Sequence, residues 1–486
     1  MTQRYDVAII GAGVVGAAIA RTLSRYELNI ALLEREADVG FGTSKANSGI
    51  VHGGFHTPWK YLKTKLEVQG NLMFDGLQKE LDFPFRRCGI LAVAFREEEL
   101  KTVETLYRQG VENGAIGIEI CGRSRLLDLE PKLNPDVIGG LHAPNGGIVE
   151  PYRFVFALTE SACRNGVELL LNFDVVAAET GEHDHCLRSA DGRTVTATYV
   201  INAAGVHTDV ISRIFRAEEL TITSRKGEEF LLDREAKGCP NKVLFPVPSP
   251  NSKGMLVIPT VDGTMMVGPT ATEVPSKDDF ATTADHLEMV FNFARKLVPT
   301  ISERDIITAF AGLRPALLPG NDFYIDLSAQ APRFIQVAGV QSPGLTAAPA
   351  IAEYVKDLLK KADCRLVEKK QFEPTLPKIT RLRHCSPFET AAAAERDPGF
   401  ANVICRCEKV SEAEIVEAIR HGHTTLDGIK FFTRAGMGRC QGGFCSYKVM
   451  KILMRETGMP AEELTKRGRG SFLIAGKLGT GNEVKS

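Results

Sequence analysis

Four cysteines crowd one end of this chain in two pairs, Cys405-Arg-Cys407 and Cys440-Gln-Gly-Gly-Phe-Cys445. Thiolates are soft ligands, and two pairs placed at loop-to-helix junctions can converge on one inorganic centre. Glycines at 436, 438, 442 and 443 leave room for backbone N–H groups to reach the sulfurs and tune a potential. Zinc sites more often use C-x2-C, so C-x-C with C-x4-C favours an iron-sulfur cluster over structural zinc. A disulfide is the third alternative, disfavoured in a reducing compartment. The chain has eleven cysteines in all; the other seven are scattered singly and read as structural thiols.

The second chemical signature lies at the opposite end. Gly11, Gly13 and Gly16 follow the apolar run Val7-Ala8-Ile9-Ile10 in G-x-G-x-x-G spacing, and a second apolar run, Ile30 to Leu33, ends at Glu34. Gly11 permits a tight turn, Gly13 lets a pyrophosphate approach the backbone, and Gly16 lets a helix lie close to the strand. A helix from about Val15 to Arg25 offers its N-terminal N–H groups to that pyrophosphate, and Glu34 accepts from the hydroxyls of an adenosine ribose. An ordinary buried strand-turn-helix leaves Glu34 unexplained. The motif by itself allows either a nicotinamide or a flavin dinucleotide.

The elements between these two signatures must position the reacting groups. Gly40 to Gly54 is rich in small and hydroxyl residues and suits close backbone approach to a large planar ligand. Residues 85–142 read as an inserted lobe, with a strand-like run Gly89 to Phe95 and a helix Glu97 to Asn113. Buried-strand character returns at Leu169 to Val175 and at Val195 to Ala204, where Val175 can offer backbone bonds to an adenine and Gly205 opens the next turn. Residues 218–307 show short β-rich runs separated by Pro and Gly, an antiparallel sheet that walls the reacting face. Ala309 to Pro315, which carries Arg314, and Phe334 to Gly339 return to the nucleotide-binding sheet. The last helix there begins at Gly344, Leu345 and Thr346, whose N–H groups face an electron-rich ring edge. These repeated returns around an antiparallel wall favour FAD.

The expected fold is therefore α/β: a Rossmann-like FAD-binding domain (1–84, 143–217 and 308–362) with an inserted α+β substrate domain (85–142 and 218–307). A connector (363–399), a small all-α cysteine-bearing domain (400–476) and a tail (477–486) complete it. Ser411-Glu-Ala-Glu414 predicts a capping box in the small domain. At 44% hydrophobic, 24% charged and net charge -1, the chain reads as an ordinary globular protein of more than one domain. The balance gives no argument for nucleic acid or anionic lipid. No apolar run is long enough for a transmembrane segment, and the chain is expected to be cytoplasmic.

The cysteine spacing, with Thr433-Arg-Ala-Gly-Met-Gly-Arg-Cys440 leading in, resembles the 2Fe-2S domain of the bacterioferritin-associated ferredoxin type. The first 360 residues resemble the D-amino-acid oxidase superfamily of FAD oxidoreductases, in the branch of glycerol-3-phosphate and L-2-hydroxyglutarate dehydrogenases. The matching stretches are the glycine triplet with Glu34, Ser48 to Gly54, Ile148 to Arg153, Asn202 to Gly205, Ala311 to Pro315, and Gly339 with Gly344 to Thr346. The resemblance implies FAD contacts from Arg35, Thr43, Ser44 and Ser48 as well, and a 2Fe-2S cluster on Cys405, Cys407, Cys440 and Cys445.

Oxidation of a secondary alcohol by FAD needs a C–H held over flavin N5, a base for the hydroxyl proton and an anchor for the charged end. Arg314 is the expected anchor, with an interdomain ion pair as the bland alternative. His52 is the expected base, or else a structural hydrogen-bonding histidine. His56 and Lys226 are expected to add positive charge. Several cations favour the phosphate of glycerol 3-phosphate, whereas Lys226 to Phe230 and His52 to Pro58 look as much like the hydroxyglutarate branch. An amino-acid dehydrogenase and a non-catalytic flavin or iron-sulfur sensor complete the alternatives. A tethered cluster argues for electrons leaving one at a time to a partner, which the resemblance implies is a flavoprotein; a cluster that only staples the small domain is the alternative. The chain could act as an oligomer.

Overall fold

In the computed structural model, residues 3–248 and 254–476 are described; the expected tail, 477–486, lies outside them. The chain divides into two compact units, Met1–Arg35 with Val39–Leu376, and Glu36–Asp38 with Pro377–Ser486.

The first unit is built on two large sheets. The apolar strand Gln3–Ile10 runs parallel to Ile30–Leu33 on one side and to Thr194–Asn202 on the other, with Ala8 opposite both Ala31 and Val200. Val7, Ala8 and Ile9 are fully buried, as a strand covered on both faces requires. The outer edges are Val167–Leu170 and the hairpin Val175–Thr180 with His185–Ser189; Phe334–Ala338 pairs with the far end of Thr194–Asn202. The helix Val14–Leu23 packs against Pro151–Arg164 and Gly344–Lys361, and Leu62–Leu81 also packs on the latter. These elements supply the nucleotide-binding domain.

The second sheet has nine strands. Its longest pair, near one end, is Thr221–Leu232 with Ile306–Leu318, antiparallel over their whole length. Met265–Gly268, Leu256–Pro259 and Val243–Pro246 continue it, and Ile90–Ala94, Gly139–Ala143 and Glu119–Gly122 extend it into the first insertion. Two expectations are corrected here. The sheet is not wholly antiparallel: Val243–Pro246 runs parallel to Ile90–Ala94, because the sheet joins two insertions far apart in sequence. Residues 306–318, and Arg314 with them, lie in this sheet rather than the nucleotide-binding one, because pairing with Thr221–Leu232 claims the whole strand. One face is covered by Ala284–Leu297, which buries Val290, Phe291, Ala294 and Leu297 against Phe230, Leu232, Val257 and Val267. The helix Glu97–Asn113 forms as expected and buries Val103 and Leu106.

The expected connector is more ordered than its composition suggests. Residues 364–376 stay on the first unit: Glu27 N–H donates to Val367 O (2.8 Å) and Leu376 N–H to Glu80 O (2.8 Å). The helix Pro387–Arg396 follows, with Ser386 and Glu389 forming a capping box.

The second unit packs Glu412–Arg420, Leu426–Thr433 and Ser446–Thr457 around Ile415, Ile429, Phe432, Ile452 and Leu453. The predicted capping box at Ser411 and Glu414 is present. The unit is not all-α. Val403–Cys405 and Val410–Ser411 pair as a short antiparallel hairpin, since β-branched Val403, Ile404 and Val410 flank a C-x-C loop that must reverse.

Candidate active site and cluster site

The glycine turn closes as its spacing predicts. Gly11 has φ +100°, and a β-carbon there would lie 2.6 Å from Ala203 O; one on Gly16 would lie 1.9 Å from Gly11 O. Both positions therefore exclude a side chain. Gly13 caps the helix Val14–Leu23 without a side chain of its own, and the Val14 N–H donates to Ser44 Oγ (2.9 Å). Glu34, buried at the end of Ile30–Leu33, accepts from the Ala12 N–H through Oε2 (2.8 Å) and so faces the turn. Arg35 reaches His207, Nη1 to Nε2 2.9 Å, two residues after Gly205 (φ +58°). Burial, then the charges of Arg35 and Lys277, push the His207 imidazole down to about 4, so the ring is neutral and accepts from the arginine. Val175 begins the edge strand just after Phe173, whose N–H donates to Glu34 O (2.7 Å). Glycines, acid and strand edge thus gather at one end of the first sheet, the donor set a dinucleotide requires.

The segment from Thr43 to His56 links this end to the second sheet. Thr43 Oγ1 donates to Leu313 O (2.6 Å), and a β-carbon on Gly312 would lie 2.0 Å from Ala46 O. Ser48 Oγ donates to Glu229 Oε1 (2.6 Å). His52 is held from three directions: its N–H donates to Thr346 Oγ1 (2.9 Å), its carbonyl accepts from Asn71 (2.6 Å), and its Nε2 is 3.3 Å from Ser342 Oγ. Its ring centroid lies 5.5 Å from that of His56, which stacks on Phe55 at 4.0 Å and tilts against Phe245 at 4.8 Å. Gly339 (φ +70°) leads into the helix that starts at Gly344, Leu345 and Thr346, and no side chain caps that start. The Gly344 N–H donates to Gln341 O (2.6 Å), and the bond from the His52 N–H to Thr346 Oγ1 places the first turn of this helix beside His52.

Arg314 is linked to this segment through Glu229, the acceptor of the Ser48 hydroxyl. Its Nη1 and Nη2 each lie 3.3 Å from Thr270 O, and Glu229 is its nearest charge of opposite sign. Burial lowers the guanidinium from its ordinary value, partly offset by Glu229. The buried Glu229 carboxyl is itself raised by desolvation, against Ser48 and Arg314. Lys226 is not part of this set. Arg225 opposes Arg314 across the strand pair, so Gly227 and Glu229 share the face of Arg314 while Lys226 points to the other. There Lys226 Nζ bonds Asp279 (2.9 Å) and Ala281 O (3.0 Å), with Glu228 at 3.8 Å. The expectation that it adds charge to the pocket is corrected by strand parity. Sequence reasoning also missed Glu229, Thr270, Phe245 and Ser342; of these only Glu229 carried a signal, its parity with Gly227 in a strand that leaves room for a large partner.

The four cysteines fall into two pairs. Cys407 and Cys440 sulfurs are 3.7 Å apart; Cys405 and Cys445 are buried and hydrogen-bonded to each other. The Cys445 thiol, helped by the Gly436 N–H, draws Cys405 down to about 6, and Phe444 and Gly442 N–H groups lower Cys440. A β-carbon on Gly438 would lie 2.3 Å from Cys407 Cβ. Amides aimed at thiolates across glycine-cleared space fit an anionic iron-sulfur centre.

The family model described as FAD dependent oxidoreductase matches residues 6–358. The chain belongs to that family. FAD is its cofactor. Residues 403–455, which include all four paired cysteines, match the model of the BFD-like 2Fe-2S binding domain, and a 2Fe-2S cluster is the second cofactor. A glycerol 3-phosphate dehydrogenase of Caloramator mitchellensis is 42% identical over 97% of this chain and 98% of its own length. A glycerol 3-phosphate oxidase of Mycoplasma pneumoniae is 32% identical over 74% of this chain and 95% of its own. The solved structure of dithionite-reduced L-alpha-glycerophosphate oxidase from Mycoplasma pneumoniae with FAD bound superimposes with TM-score 0.74 at 30% identity, covering 78% of this chain and 100% of that one. Among the described residues no helix is long and apolar enough to cross a membrane.

Proposed function

We propose that this oxidoreductase is a glycerol 3-phosphate dehydrogenase, converting the secondary alcohol to dihydroxyacetone phosphate and passing its electrons through the cluster to a partner flavoprotein in the cytoplasm. The observation that carries the reading is the 42% identity to the Caloramator dehydrogenase across both units. The Mycoplasma oxidase, by contrast, aligns with 95% of itself on only 74% of this chain. The Caloramator relative, unlike that oxidase, matches this chain over nearly its whole length, the cluster domain included.

In this reading Gly11, Gly13 and Gly16 admit the FAD pyrophosphate, Glu34 and Arg35 hold the adenosine side, and Val175 and Gly205 border it. Thr43, Ser44, Ser48, Gly339 and the helix start at Gly344, Leu345 and Thr346 surround the ring system. Bound there, FAD supplies the hydride acceptor. Arg314 pairs with the phosphate by parallel N–H···O bonds, a geometry lysine cannot copy. His52 Nε2 takes the hydroxyl proton, and Ser342 Oγ, able to donate or accept, keeps that nitrogen in place in either protonation state. His56, wedged between Phe55 and Phe245, limits water at the same spot. Cys405, Cys407, Cys440 and Cys445 ligate the cluster.

Anaerobic addition of glycerol 3-phosphate should bleach the bound flavin, with L-2-hydroxyglutarate and amino acids inactive. Bleaching by L-2-hydroxyglutarate alone would transfer the assignment to a 2-hydroxy acid.

A further inference from the structure

The cysteine quartet shows one edge to solvent: Cys407 is exposed and Cys440 partly so, while Cys405 and Cys445 are buried. Two large aromatics stand beside that edge. Phe444 is 85% exposed and Tyr447 66%. The Phe444 N–H is directed at Cys440, and its ring stands in solvent. A solvent-facing phenylalanine next to a ligand, on a loop ordered by that ligand, has no role in the core of the unit.

Within the thiol-bearing segments the exposed charge is of one sign. Along the thiol-bearing segments 403–410 and 434–451 the exposed charged residues are Arg406, Lys409, Arg439, Lys448 and Lys451. The single acid in these segments, Glu408, is buried and bonded to Arg383 (3.1 Å) and Arg434 (2.8 Å). Lys451 Nζ lies 4.6 Å from the Tyr447 ring centroid, which keeps its charge beside the aromatic pair. The chain as a whole carries net charge -1, so the basic rim is a local feature.

We propose that this rim, Phe444 and Tyr447 within a ring of arginine and lysine, docks a protein electron acceptor whose cofactor edge is framed by acidic side chains. The proposal rests on the dehydrogenase reading above and names the surface and chemistry of its partner. An aromatic centre with a charged border is the anatomy of a specific interface, and opposite charge speeds encounter without slowing release. Each alcohol oxidised to a ketone yields two electrons and two protons. Two acceptor proteins each take one electron, and the protons pass to solvent.

The test uses the holoenzyme reduced anaerobically by glycerol 3-phosphate, with two one-electron acceptor proteins as probes, acidic plastocyanin and basic cytochrome c. Plastocyanin should be reduced faster, and its rate should fall about tenfold between about 20 and about 200 mM salt. Lys448→Glu with Lys451→Glu should lower that rate about tenfold and raise the cytochrome c rate. Flavin bleaching by substrate and reduction of a small neutral quinone should stay unchanged. Phe444→Ala should slow both proteins and spare the quinone. A plastocyanin rate indifferent to salt and to charge reversal overturns the docking surface while leaving the dehydrogenase reading intact. Absence of bleaching by any substrate defeats that reading instead, and dithionite-reduced holoenzyme then supports the same comparison of acceptors. If the charge-reversed chain loses its iron, the salt series on the unaltered chain decides.

Discussion

A β-carbon on Gly227 would lie 2.3 Å from Arg314 Nη2, so the guanidinium occupies the space a side chain at 227 would fill. The glycine at 227 is what makes room for Arg314, the proposed anchor. Arg314→Ala should raise the KM for glycerol 3-phosphate about 100-fold, the loss of roughly 3 kcal/mol of charge-assisted bonding. Gly227→Ala should displace the guanidinium and raise KM about tenfold with a smaller change in kcat. Steady-state kinetics checks both, and unchanged constants for Arg314→Ala remove it from the site.

His52 is fastened by its backbone as well as its ring, so its replacement separates chemistry from architecture. His52→Gln should keep bound flavin, seen in the visible spectrum, and lower kcat about 100-fold or more. Loss of flavin with intact turnover per remaining flavin would make the histidine structural.

Metal analysis of protein purified without air should give two irons per chain and no zinc, as the amides around Cys405 and Cys440 imply. Replacing Cys407 and Cys440 together by serine should abolish the cluster's absorbance and reduction of protein acceptors. Bleaching of the flavin by substrate should persist. Zinc in place of iron would end the electron-transfer role.

The neutral His207 beside Arg35 makes the flavin-free chain acid-sensitive. Its folded value of about 4 lies below the ordinary 6.5, so between the two the unfolded chain binds more protons than the native one. Stability is therefore full above about pH 6.5 and declines as pH falls toward 4. His207 is half-buried, and solvent screening reduces the effect to on the order of 1 kcal/mol. Urea midpoints at pH 7 and pH 5 measure the decline, which should shrink in His207→Gln.

What was legible in the sequence was local. Gly11, Gly13, Gly16 and Glu34 declare themselves because turn, helix and strand end are fixed within one short stretch, and the helix Glu97–Asn113 follows its own apolar period. The strand Ile306–Leu318 was legible as a strand but not as a partner of Thr221–Leu232, since pairing is decided by distant residues. Lys226 was misplaced for the same reason: which face it occupies follows from Arg225 standing opposite Arg314. The short hairpin at Val403–Cys405 is too brief to register as a period. The helix Pro387–Arg396 did have a visible signal, Ser386 and Glu389 three residues apart around a proline, hidden inside a polar connector.

The first sheet carries a consequence for how the protein is made. Gln3–Ile10 takes Thr194–Asn202 as one neighbour, and that strand takes Phe334–Ala338. During synthesis Ile30–Leu33 covers one edge of the apolar run Val7 to Ile10 early, but the other edge stays open to misdirected pairing until Thr194–Asn202 has emerged.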